Sequence, residues 1–186
     1  MFNVNQQWKD WCNERHAERN HMYQDIIPYS FHLDIAESVA LQYGEFFKPE
    51  LLVPIIYASR GHDLIEDTNV SYNDIKKFLT SIFGGYTSLP VLDDYAKSIA
   101  EIIFACTDNR GRNRAERHGG DYWPVLVGTP GAPETKACDR IANARFGKLF
   151  NSRMLLTYKE EHSEFKEKIY PFLPQQMIAE LDQLLS

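Results

Sequence analysis

Apolar residues along this chain recur at three- and four-residue steps, and alternation of the kind a strand needs is almost absent, so the pattern predicts an all-α fold. From Tyr29 to Tyr43, the residues Leu33, Ala36, Val39, Ala40 and Tyr43 fall on one helical stripe, and Gly44 is expected to stop that helix in a left-handed turn. A second helix is predicted from Pro49, a residue suited to a first turn, through Leu51, Leu52, Ile55, Ile56 and Tyr57 toward His62. Pro54, one turn in, predicts a late start or a kink. Ser71 stands three residues before Asp74 and reads as the cap of a helix through Ile75, Phe78 and Leu79. Further helices are expected over Asp94 to Cys106, from Pro133 through Ala137, Ile141, Ala144 and Leu149, and from Pro174 through Met177, Leu181 and Leu185.

One stretch breaks the periodicity. Thr107 to Pro133 holds five of the ten glycines and three of the nine prolines, together with Arg110, Arg112, Arg114 and Arg117. A connection of this length inside a compact domain is usually functional or mobile, and the same stretch also reads as a flexible surface loop made soluble by its arginines.

Composition narrows the class. The 186 residues, 44% hydrophobic and 25% charged, suit one globular domain over 1–186 and exclude disordered and collagen-like readings. The longest run free of charge, 15 residues from Phe78 to Leu92, is interrupted by Gly84, Gly85 and Pro90, so no membrane span is expected. Lys9, Asp10, Glu14 and Arg15 near the start argue against a signal peptide, and three scattered cysteines argue against a disulfide framework; the expected location is cytoplasmic. A formal charge of −6 argues against nucleic acid as the partner. That figure sums unlike parts: Asn109 to His118 carries +3, leaving −9 elsewhere, and a local arginine cluster suits a small polyanion.

The sharpest chemical feature is His62-Asp63-Leu64-Ile65-Glu66-Asp67-Thr68, where an apolar helix ends. If the segment stays helical, Glu66 stands over the face that carries His62 and Asp63. Imidazole with carboxylate suits borderline and hard divalent ions such as Mn, Fe or Zn, and the same heptapeptide also reads as an acidic, solvated helix end. His32 could supply a second imidazole. In the helix that follows Pro133, Lys136, Asp139, Arg140 and Asn143 share one polar face. His16, His21, His118 and His162 have no comparable setting and read as surface or satisfied core residues.

The order Pro28-Tyr29-x-x-His32, His62-Asp63, Glu66-Asp67-Thr68, Phe83-Gly84, Ile103-x-x-Cys106-Thr107-Asp108 and Lys136-x-x-Asp139-Arg140-x-x-Asn143 resembles the HD-domain metal-dependent phosphohydrolases. In particular it resembles the hydrolase half of the RelA/SpoT alarmone enzymes and their small stand-alone relatives. The resemblance implies a helical bundle with a long Gly/Pro/Arg-rich loop and one divalent metal, usually manganese with Fe2+ or Zn2+ as other options, held by His32, His62, Asp63 and Asp139. It implies that Glu66 and Asp67 handle the attacking water and that Asn143 lies in the nucleotide pocket. Tyr29, Lys136, Arg140, Arg114 and Arg117 are then the candidates to contact the substrate. The implied activity is hydrolysis of guanosine-3′,5′-bis(diphosphate) to GDP and pyrophosphate. Two departures bear on substrate: Arg19-Asn20-His21-Met22 stands where alarmone hydrolases carry an adjacent Arg-Lys pair, and Phe146 stands where they commonly carry Thr. They keep open an HD nucleotidase or triphosphohydrolase acting on (deoxy)nucleotides, and a non-catalytic nucleotide-binding protein.

Overall fold

Tyr29 turns the chain out of a two-strand hairpin and into the helix that carries His32. In the computed structural model, residues 2–84, 90–108 and 120–186 are described. They form α1 (Phe2–Ala17), the strands β1 (Met22–Tyr23) and β2 (Ile27–Pro28), α2 (Ser30–Gln42), α3 (Pro49–Gly61), α4 (Leu64–Asp67), α5 (Tyr72–Phe83) and α6 (Pro90–Cys106). After these come α7 (Tyr122–Gly128), α8 (Ala132–Phe150), α9 (Arg153–Glu160), α10 (His162–Ile169) and α11 (Gln175–Leu185). The helical expectation therefore holds, with one small antiparallel pair that registers Met22 with Pro28 and Tyr23 with Ile27.

Several local expectations hold for their stated reasons. Ser71 accepts from the Asp74 N–H while the Asp74 side chain accepts from the Ser71 N–H, a full capping box at the start of α5. Pro49 opens α3 where its missing N–H costs nothing, and the helix runs on through buried Pro54. Gly44 differs from expectation: it opens a 3-10 turn after Tyr43 (φ −96°) and takes no left-handed turn. Its value is space, because a Cβ there would stand 2.8 Å from Leu52 Cδ1. The stretch expected to be irregular contains α7, and Arg110, Arg112, Arg114 and Arg117 lie outside the described residues.

The core lies among α2, α3, α6 and α8. Helix α2 packs on α3 and α8, and α3 packs also on α6 and α8. Leu33, Val39, Ile55, Ile99, Ile103 and Ile141 are fully buried there, and Ala137, Ala142 and Ala144 keep α8 thin enough for close approach to its neighbours. Burial of a side chain of the Leu or Ile class contributes about 1.5–3 kcal/mol. Gly131, at φ +90°, admits the chain to α8 in a conformation that disfavours any Cβ, and a Cβ would meet Ile102 Cδ1 at 2.8 Å. Gly61 ends α3 against Trp8, whose Cζ2 would lie 2.6 Å from an added Cβ. Trp8 is fully buried and donates Nε1–H to the Tyr57 carbonyl at 3.0 Å, which ties α1 to α3.

A charged network holds the same corner. Arg60, 1% exposed, donates to Asp34 and, at 2.7 Å, to Asn13. It also lies 3.5 Å from buried Glu37, which Lys9 contacts at 2.8 Å. A buried guanidinium needs such partners, and these fix α1, α2 and α3 relative to one another just before His62. Among the described residues no helix is long and apolar enough to cross a membrane. All three cysteines are buried and free.

Candidate metal centre

Four side chains from three places in the chain approach one another. His32 comes from the first turn of α2, His62 and Asp63 from the break between α3 and α4, and Asp139 from the middle of α8. His32 Nε2 and His62 Nε2 are 3.3 Å apart, and Asp139 Oδ1 lies 3.2 Å from the first and 3.3 Å from the second. Asp63 Oδ2 lies 2.8 Å from His62 Nε2 and 3.8 Å from His32 Nε2. Donor atoms bound to one ion at about 2.0–2.2 Å stand roughly 3.0–3.5 Å from each other, so the spacing of the two imidazoles and Asp139 fits a divalent cation, and Asp63 stands just outside that range on either side. Both histidines are nearly fully buried, and His32, His62 and Asp63 form a group that could hold a metal ion, with Asp139 beside both imidazoles.

Surrounding contacts orient these ligands. The Ser59 carbonyl lies 2.9 Å from His62 Nδ1; a carbonyl only accepts, so Nδ1 carries a proton and Nε2 is the nitrogen turned to the centre. Asn143 donates Nδ2–H to Asp139 Oδ1 at 2.6 Å, and Lys136 Nζ lies 3.6 Å from Asp139 Oδ2. The Tyr29 hydroxyl donates to Asp63, so this predicted substrate residue is engaged by a candidate ligand. Tyr23, which the sequence did not single out, donates to Asn143 Oδ1 at 2.9 Å and lays its ring 4.9 Å from that of His32. Its only signal was an aromatic between His21 and the Pro28-Tyr29 pair.

The charges are strongly interdependent. Burial alone would raise the Asp63 and Asp139 carboxyls, yet facing His62 holds both below the ordinary carboxylate range. Burial would likewise lower His62, and Asp63 and Asp139 outweigh it and hold its pKa well above the usual histidine value. Asp67 moves the other way: burial, then the charges of Asp63 and Glu66, push it up to about 7. Glu66 is also raised, first by burial and then by Asp63, although Lys136 and the Asp108 N–H, 3.1 Å from its Oε2, oppose the shift. Both carboxyls are thus raised beside the acidic pair Asp63 and Asp139, and Asp67 is brought into the neutral range.

Other predicted residues stand elsewhere. Arg140 does not join the centre: it is 4% exposed, donates to Glu161 at 3.2 Å and lies over the rings of Tyr158 and Phe165 at 4.3 and 4.8 Å. Its charge is spent on joining α8 to α9 and α10. Arg114 and Arg117, like His118, lie outside the described residues. His162 is tied to Asp182 and Tyr170 near the C-terminus. His16 and His21, read as surface or satisfied core, instead face each other, with their Nδ1 atoms 3.1 Å apart. Their five-residue spacing spans the end of α1 and the turn beyond, so no helical period could have paired them.

Compared with protein-family models, with curated proteins and with solved structures, this chain gives no match.

Proposed function

We propose that this protein is a metal-dependent nucleotide phosphohydrolase of the HD type, acting on a guanosine-3′,5′-bis(diphosphate)-like substrate with manganese as the preferred ion. The observation that carries this reading is the convergence of His32, His62, Asp63 and Asp139, distant in sequence, with Glu66 and Asp67 one turn beyond. Two nitrogens and two carboxylate oxygens suit Mn2+, Fe2+ or Zn2+ and give no preference for a thiophilic ion. Held there, a divalent ion supplies Lewis acidity toward phosphoryl oxygen and brings the pKa of bound water down toward about 7.

The chain's own residues do the rest. Glu66 and Asp67 orient the attacking water and take its proton, a contribution of about 10²–10⁴-fold. The water oxygen bonds to phosphorus, the bond from phosphorus to the ribose 3′ oxygen breaks, and the proton returns to that oxygen. Lys136, fixed beside Asp139, offers its cation to phosphoryl oxygens whose charge develops in the transition state. Asn143 orients Asp139 and borders the nucleotide.

A second reading, hydrolysis of ordinary (deoxy)nucleotides, is favoured by one feature. Phe146, which stands where alarmone hydrolases commonly carry Thr, is buried 4.7 Å from Tyr23, 6.1 Å from Phe31 and 4.4 Å from Phe150 between ring centroids, so an aromatic cluster one turn past Asn143 replaces the polar residue of that pattern.

Purified protein incubated with Mn2+ and a panel of alarmone and ordinary nucleotides tests both readings. Pyrophosphate release from the alarmone, absent in Asp63→Ala, is the expected result. Turnover of ordinary nucleotides alone supports the second reading, and full activity in Asp63→Ala overturns the assignment.

A further inference from the structure

A second group of ligand-type side chains lies beside the first. His16 ends α1, His21 leads into β1, and Asp67 closes α4. One donor atom from each lies within 4.8 Å of both others. The two imidazoles face each other through Nδ1 at 3.1 Å, and Asp67 Oδ2 is 3.7 Å from His21 Nδ1. Two nitrogens sharing one ion at about 2.1 Å stand about 3.0 Å apart at a right angle and about 3.4 Å apart at the tetrahedral angle, so the imidazole pair is already at ligand spacing.

Burial gives the pair a further meaning. His16 is 1% exposed, and its Nε2 has no hydrogen-bond partner among the described residues. Its polar contact is therefore made through Nδ1, toward another imidazole. A buried ring with one satisfied nitrogen costs free energy that a hydrophobic residue in its place would avoid. The two Nδ1 atoms share one proton in that hydrogen bond; with the proton moved to the other nitrogen of its ring, both can join the Asp67 carboxylate in binding one cation.

The position links the group to the first centre. The Tyr29 ring stacks on His21 at 3.7 Å and on His16 at 4.6 Å between centroids, while its hydroxyl donates to Asp63. One tyrosine is thus the wall between the two clusters. On its other side, His21 and Asp67 open onto a surface pocket of about 450 Å³ that Arg19, Asn20, Met22 and Asp25 complete. Water or an anionic oxygen can reach a metal held here from that pocket.

The geometry points to a second divalent-cation site formed by His16, His21 and Asp67, with open coordination positions facing the Arg19–Asp25 pocket. Two nitrogens and one carboxylate oxygen suit Zn2+, Co2+, Fe2+ or Mn2+. The site shares Asp67 with the proposed water-handling pair, while its two imidazoles belong to it alone and carry its test.

Titration of the metal-free full chain with Co2+ tests it, with visible ligand-field absorption and bound stoichiometry as readouts. Wild type is expected to bind two equivalents, and His21→Asn to lose one of them. Asp63→Ala, which impairs the first centre, is expected to retain the absorption that His21→Asn removes. His16→Gln serves as a second variant, with circular dichroism of each variant checking the fold. A folded His21→Asn protein with wild-type stoichiometry and spectrum overturns the proposal. One equivalent in wild type that Asp63→Ala abolishes and His21→Asn leaves intact overturns it too, while leaving the first centre standing.

Discussion

Asn143 donates its side-chain N–H to Asp139 Oδ1 at 2.6 Å, one turn earlier on the same helix. Its own amide oxygen accepts from Tyr23 at 2.9 Å, which sets the direction of the amide and turns Nδ2 toward Asp139, whose main-chain carbonyl it also meets at 3.2 Å. Tyr23, Asn143 and Asp139 thus form a chain that ends on a candidate ligand. Replacing Asn143 by Ala should weaken divalent-metal binding about 10–100-fold with little loss of fold. Calorimetric titration of wild type and variant checks this, and equal affinities would remove Asn143 from the support of the centre.

Glu66 is raised by burial and by Asp63, and the Asp108 backbone holds it in place. A Glu66→Gln protein should bind metal as tightly as wild type and turn over about 10²–10⁴-fold more slowly. Unchanged kcat with the preferred nucleotide would place the proton transfer elsewhere.

Gly131 carries φ +90° with Ile102 Cδ1 pressed against the place of a Cβ. Gly131→Ala should cost about 1–3 kcal/mol from the backbone alone, and overpacking against Ile102 adds to it. Urea unfolding reads this as a lower midpoint at unchanged slope.

Acid should weaken the packing of α11. Burial raises the Glu180 carboxyl, but hydrogen bonds from Arg145, at 2.6 and 2.8 Å, and from Tyr43 outweigh it and leave the pKa below the ordinary 4.5. A carboxyl depressed on folding contributes stability that is complete above its unfolded pKa and fades as pH falls through its folded one. The stability difference between wild type and Glu180→Gln should therefore be complete above the ordinary 4.5 and shrink as pH falls below it. A difference constant through that fall would show that ionised Glu180 contributes nothing.

Helix content was legible in the chain because a helix repeats every 3.6 residues and its buried stripe is written locally: Leu33, Ala36 and Ala40 needed no distant partner to be recognised. The capping box of Ser71 and the entry at Pro49 are likewise local events. So is the His62-Asp63 dipeptide, and its grouping with His32 and Asp139 came from the resemblance of motif order to a known pattern. What the tertiary structure alone decided depends on side chains that meet across elements. It turned Arg140 from the polar face toward Glu161, made Tyr29 a partner of Asp63, and set His16 against His21. Periodicity reports which face a residue occupies; which neighbour it meets there depends on how helices of this length cross, and that is a property of the packed core.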